Sequence, residues 1–128
     1  RFAPNRTAFD WLSVNDKNVD AYIADPLCGG RTTLGLFREM MGGIGVITDR
    51  ANMAKMNKSL PVFFIAGDKD PVGDMGKGVE KAHRCFKKAG MRDVSIKLYH
   101  GLRHEILNEK AHRAEVYDDI WNWMEARL

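Results

Sequence analysis

Two short segments hold the residues best suited to chemistry. The first, Gly67-Asp68-Lys69-Asp70-Pro71-Val72-Gly73, directly follows an apolar run. A carboxylate in such a loop can orient a histidine and stabilise its imidazolium form. Asp68 and Asp70 compete for that role. Asp, Pro and Gly are also turn formers, so the same residues could do no more than close a strand in an Asx-type turn. The second segment, His100-Gly101-Leu102-Arg103-His104-Glu105, follows another strand-like run. A lone histidine is more often structural than catalytic. An acid and a histidine leaving successive strands at the same edge form a more specific coincidence. Paired acids after a strand would alternatively suit Mg²⁺, held by Asp68 and Asp70. No glycine-rich phosphate loop or helical lysine motif accompanies them. His83 and His112 fall within helical patterns and read as surface or packing residues.

These loops need a scaffold that brings them together. Leu60 to Gly67 is a continuous apolar run ended by glycine, as in a strand buried on both faces. Gly76 to Ala89 carries Val79, Ala82, Phe86 and Ala89 at helical spacing, opposite Lys77, Lys81, Lys87 and Lys88. Gly90 then suits the left-handed residue that ends a helix. Val94 to Tyr99 alternates as a second strand, whose polar positions imply an edge or a partly open face. Ala111 to Arg127 reads as a terminal helix with Val116, Ile120, Trp123 and Met124 on one side. Strand, helix, strand, helix predicts parallel pairing through right-handed crossovers, hence an α/β layer architecture. In open sheets of this kind, reactive groups gather at the carboxyl ends of the strands. Two strands alone do not make a stable sheet. The first strand therefore requires neighbours that residues 1–58 do not supply.

That first stretch differs in character. Asp16 to Ala24 and Thr33 to Ile47 are short helical candidates on either side of Asp25-Pro26-Leu27-Cys28-Gly29-Gly30. Gly42, Gly43 and Gly45 interrupt the second and cost it helical stability. Its Leu34, Phe37, Met40, Met41 and Ile44 make a methionine-rich stripe, of the kind that joins a core or lines an adaptable surface.

Composition narrows the function classes. The 128 residues are 45% hydrophobic and 29% charged, ordinary for a soluble globular chain with a real core. Twenty basic against 17 acidic residues leave a net charge of +3, too mild and dispersed for a nucleic-acid surface. Cys28 and Cys85 have no CxxC or Cys/His spacing, which favours reduced thiols in a cytoplasmic protein over zinc or disulfides. No apolar run approaches the roughly 20 residues of a transmembrane helix. No signal peptide is evident, and the chain opens on Arg1, so its natural start is expected upstream.

The order strand, G-D-K-D-P-V-G, helix, strand, H-G-L-R-H-E, helix resembles the C-terminal end of the α/β-hydrolase family. More narrowly, it is similar to the branch of lysophospholipases and monoacylglycerol lipases often labelled serine aminopeptidase-like. The resemblance implies that the triad acid closes a G-x-x-D turn, which selects Asp70 over Asp68. It implies that the histidine lies in G-x-x-H, which selects His104 and leaves His100 aside. Asn5-Arg6-Thr7-Ala8-Phe9-Asp10-Trp11-Leu12-Ser13 and Asp25-Pro26-Leu27-Cys28-Gly29 resemble the lid region of bacterial members. The implied organisation is a helical lid over residues 1–58 and a C-terminal part of the hydrolase core over 59–128.

The family's nucleophile sits in a G-x-S-x-G elbow, ahead of the acid and the histidine. Ser13, Ser59 and Ser95 lie in no such setting, and Cys28 precedes any strand. The expectation is a chain lacking the N-terminal half of a serine hydrolase, inactive alone. The intact parent would act on lysophospholipid or monoacylglycerol esters without metal or organic cofactor. Leu34 to Ile47 would belong to a lid over the acyl chain. An exposed strand edge predicts self-association or pairing with the missing half. The rival readings are a non-catalytic interaction module on the same scaffold and a Mg²⁺-dependent aspartate domain.

Overall fold

The structure, a computed structural model, describes residues 2–128. Three helices come first: α1 (Asp16–Ala24), α2 (Leu34–Thr48) and α3 (Arg50–Ala54). Then follow β1 (Val62–Gly67), α4 (Lys77–Lys88), β2 (Val94–Tyr99), a 3-10 turn (Ile106–Asn108) and α5 (Arg113–Glu125). The strands pair in parallel, from Val62 opposite Val94 to Gly67 opposite Tyr99.

Successive strand side chains serve opposite faces. Phe63 stacks on Trp123 of α5 with ring centroids 5.6 Å apart, whereas Phe64 meets Phe86 of α4 edge-on at 5.0 Å. The sheet is thus layered between α4 and α5, as the alternation of elements predicts. The polar positions of β2 face α5, where partners satisfy them. Ser95 Oγ accepts from the Trp123 indole at 3.0 Å, and Lys97 pairs with Glu115 and Asp119. Asp119 also accepts from the Tyr99 hydroxyl at 2.8 Å. Burial, and then that acceptor, push the Tyr99 phenol above its ordinary range. The buried core lies under the histidine loop: Tyr99, Leu102, Ile106 and Val116, with Ile65 and Ile120 packed against them.

β1 is less covered than its apolar run predicts. Val62 to Ala66 are only partly buried. Among the described residues, the strand has β2 on one side and no neighbour on the other, and a cleft of about 1260 Å³ opens against Phe64, lined also by Ile47, Met53 and Phe86. Helix α2 runs unbroken through Gly42, Gly43 and Gly45 and buries none of its residues. Thr33 caps it by accepting the Leu36 N–H at 3.1 Å. Its apolar stripe is open to solvent, from Ile44 at 44% exposure to Leu34 at 90%. The stripe is therefore not part of the core of this chain. Among the described residues, no helix is long and apolar enough to cross a membrane.

Candidate active site

Both loops of interest leave the carboxyl ends of adjacent parallel strands. They approach closely because Gly67 has no side chain: a Cβ there would overlap the carbonyl oxygens of Leu102 and Arg103. Backbone bonds then join them, from Asp68 N–H to the Tyr99 carbonyl at 3.0 Å and from Lys69 N–H to the Leu102 carbonyl at 2.9 Å.

Asp70 is buried, at 6% exposure. Its Oδ1 accepts the Val72 N–H at 2.8 Å, so the turn that local composition predicts does form. Its Oδ2 lies 3.0 Å from His104 Nδ1. One carboxylate thus closes the loop and orients the imidazole together. Further along, Asp74 and Met75 take left-handed backbone angles, with φ of 50° and 54°. That region is uncommon for non-glycine residues. The Met75 N–H returns to the Asp70 carbonyl at 2.8 Å, which holds the loop around the acid.

With Nδ1 directed at Asp70, His104 keeps Nε2 for another partner. Its side chain is 39% exposed, and the Trp11 ring stands against it, centroids 5.3 Å apart and tilted by 51°.

The structure also pairs the other two residues. His100 Nδ1 lies 2.8 Å from Asp68 Oδ2, and Asp68 Oδ1 accepts the Gly101 N–H at 2.8 Å. Burial alone would raise the Asp68 carboxyl, but the Gly101 N–H, His100 and Lys69 together hold it below its ordinary value. The two pairs differ in solvation. The His100 side chain is 92% exposed, so solvent screens its side of that pair. The Asp70 carboxylate is shielded, and His104 has an aromatic wall. Each acid engages its own histidine. Among the described residues, no three His, Cys, Asp or Glu side chains converge as a metal site requires.

The remaining candidates are occupied elsewhere. Ser13 Oγ donates to Glu109, Ser95 Oγ accepts from Trp123, and Ser59 Oγ accepts from Arg92. Burial, then Asp25 and Glu105, push the Cys28 thiol up, the opposite of what an activated nucleophile needs. His83 packs edge-on to Phe64, with Nε2 3.3 Å from the Val94 carbonyl. His112 stands at the N-terminus of α5.

Three side chains at the histidine loop carry no assigned role in the sequence reading: Trp11, Arg103 and Glu109. Glu109 is 1% exposed and accepts from Ser13 Oγ and the Val14 N–H, both at 2.9 Å. Arg103 donates to the carbonyls of Asp10 and Ser13. Periodicity carries no trace of these contacts, because they join residues 90 or more positions apart. The one available signal was a tryptophan and an acid lying outside any amphipathic pattern.

The sequence matches the family Hydrolase_4, described as Serine aminopeptidase, S33, over residues 1–111. A monoacylglycerol lipase of Mycolicibacterium smegmatis is 29% identical over 120 residues, covering 93% of this chain and 40% of that protein. The crystal structure of a highly thermostable carboxyl esterase from Bacillus coagulans, in complex with glycerol, aligns with a TM-score of 0.89 at 30% identity. That alignment covers 98% of this chain and 41% of the esterase. A lipase in an open form aligns with a TM-score of 0.83 at 26% identity, again over 98% of this chain and 41% of its own. The chain therefore spans about 40% of the length of the relatives it matches.

Proposed function

The chain belongs to the serine aminopeptidase family of α/β-hydrolases, and on that premise we propose that it supplies the acid and the histidine of an ester-hydrolysing Ser-His-Asp triad. The observation that carries the reading is the 3.0 Å contact between Asp70 Oδ2 and His104 Nδ1, formed by loops leaving adjacent parallel strands. Asp70 fixes the tautomer with Nδ1 protonated, so Nε2 is the basic nitrogen. That nitrogen takes the proton of a serine hydroxyl as the serine attacks the acyl carbonyl. It then returns the proton to the departing alcohol, and a water repeats the cycle on the acyl-enzyme. The serine and the oxyanion-hole amides belong to a portion of the protein outside these 128 residues. The short coverage of the relatives supports that division.

Residues 1–58 act as the cap and residues 59–128 as the C-terminal part of the core. The substrate is a carboxylic ester with a fatty-acyl group, a monoacylglycerol or lysophospholipid. The exposed apolar length of α2 supports this by offering a surface for an acyl chain. The open edge of β1 pairs with the rest of the protein or, without it, with another copy. The free thiols accord with a cytoplasmic location.

The test is turnover by the protein with its upstream portion restored. It should hydrolyse monoacylglycerol, with kcat falling by about four orders of magnitude or more in His104→Ala. Turnover unchanged by that substitution would overturn the assignment. A fold restored in full with no ester turnover would favour the interaction module instead.

A further inference from the structure

We infer that Trp11 is a positioning residue for His104, holding the imidazole from the face that Asp70 does not control. This rests on the reading of His104 as the general base. A single contact from Asp70 to Nδ1 anchors one atom of the ring, and the ring can still hinge about that contact. His104 sits in a loop with no regular secondary structure between Gly101 and Glu105. An aromatic wall at 5.3 Å restricts the hinge.

The wall is itself held in place. The His104 N–H donates to the Trp11 carbonyl at 3.4 Å, and the Glu105 N–H to the Leu12 carbonyl at 2.8 Å. One residue thus contacts both the backbone and the ring of the histidine. On either side, the Arg103 guanidinium donates to the carbonyls of Asp10 and Ser13, and Glu109 binds Ser13 Oγ and the Val14 N–H. Asp10, Leu12 and Ser13 are buried. The segment from Asp10 to Val14 is therefore a fixed strap across the histidine loop.

An indole is broad and rigid, so at this distance it limits rotation of the imidazole more than a flexible aliphatic side chain would. The charged or titratable groups on the elements packed here are Asp68, Lys69 and Asp70 from the acid loop, His100, Arg103 and Glu105 on the histidine loop, Glu109 just beyond it, and Asp10 with Arg6 on the strap. The Asp10 carboxylate is turned to its own segment, accepting the Thr7 hydroxyl and the Arg6 and Thr7 N–H groups. Replacing Trp11 by a neutral residue changes none of these charges.

The experiment is steady-state ester hydrolysis by the protein with its upstream portion restored, comparing wild type with Trp11→Leu, Trp11→Phe and Asp70→Asn. Leucine keeps apolar bulk without a flat wall, and phenylalanine keeps the wall. We expect Trp11→Leu to lower kcat about tenfold with KM unchanged, and Trp11→Phe to restore most of the loss. Asp70→Asn should lower kcat further, and thermal melts of the Trp11 variants should show a folded protein. Equal kcat in the leucine, phenylalanine and wild-type proteins would overturn the proposal and leave Trp11 as mere packing. A kcat unmoved by Asp70→Asn would instead overturn the acid–histidine pairing on which it rests.

Discussion

Glu109 offers a perturbation whose size follows from the structure. The side chain is 1% exposed, and its two oxygens accept from Ser13 Oγ and the Val14 N–H, both at 2.9 Å. A hydrogen bond to an ionised group contributes about 1.5–3 kcal/mol. Two such bonds set a ceiling of roughly 6 kcal/mol, which water entering the vacated space and partial relaxation reduce. Glu109→Ala should therefore cost about 3 kcal/mol, a large share of the stability of a domain this size. Glu109→Gln keeps one acceptor and should cost about half as much. Urea unfolding of the single variants, of Ser13→Ala and of the Ser13/Glu109 double variant measures both the total and the coupling. We expect a coupling of about 1.5 kcal/mol between the two positions. A wild-type midpoint for Glu109→Ala would refute the idea that this carboxylate pins the strap. Strict additivity with Ser13→Ala would refute their pairing.

Other outcomes follow from the same contacts. Gly67→Ala forces a methyl group onto the carbonyl oxygens of Leu102 and Arg103, which cannot swing aside as side chains do. Thermal melts should register a loss of about 3 kcal/mol, and a loss below about 1 would contradict the close approach. The Asp119 carboxyl is held below its ordinary value by Lys97, against the effect of burial, and also by Tyr99. A group whose folded pKa is depressed stabilises above its unfolded value, about 4, and loses that contribution as pH falls through the folded value. Asp119→Asn should thus flatten the acid limb of a stability–pH curve and leave its shape near neutrality unaltered, and an unchanged acid limb would contradict the contact. With β1 unpaired at one edge and α2 exposed along its apolar length, the 128-residue chain should self-associate. Sedimentation as a stable, well-folded monomer would contradict that expectation.

The layered core and the meeting of its two loops were legible because they rest on local signals. An apolar run ending in Gly67 and an alternating run ending in Tyr99 specify two strands, and the helix between them dictates parallel pairing. Parallel pairing alone brings the Asp70 and His104 loops to one edge. The choice between Asp70 and Asp68, or His104 and His100, was not legible from composition, since the structure gives each acid a histidine. Family spacing pointed to one pair, and the buried carboxylate and aromatic wall are the physical difference between the two. The strap of Asp10 to Val14 was invisible because its partners Arg103 and Glu109 lie about 90 residues away and its contacts follow no period. The solvent exposure of α2 was equally hidden. An apolar stripe carries the same pattern whether its partner belongs to this chain or to another.

The central claim is that Asp70 and His104, not Asp68 and His100, serve a serine nucleophile. An active-site fluorophosphonate reagent tests it on protein carrying the upstream portion. Wild type and His100→Ala should label at one serine, and His104→Ala should lose nearly all labelling. Full labelling of His104→Ala, or its loss in a folded His100→Ala, would contradict the claim.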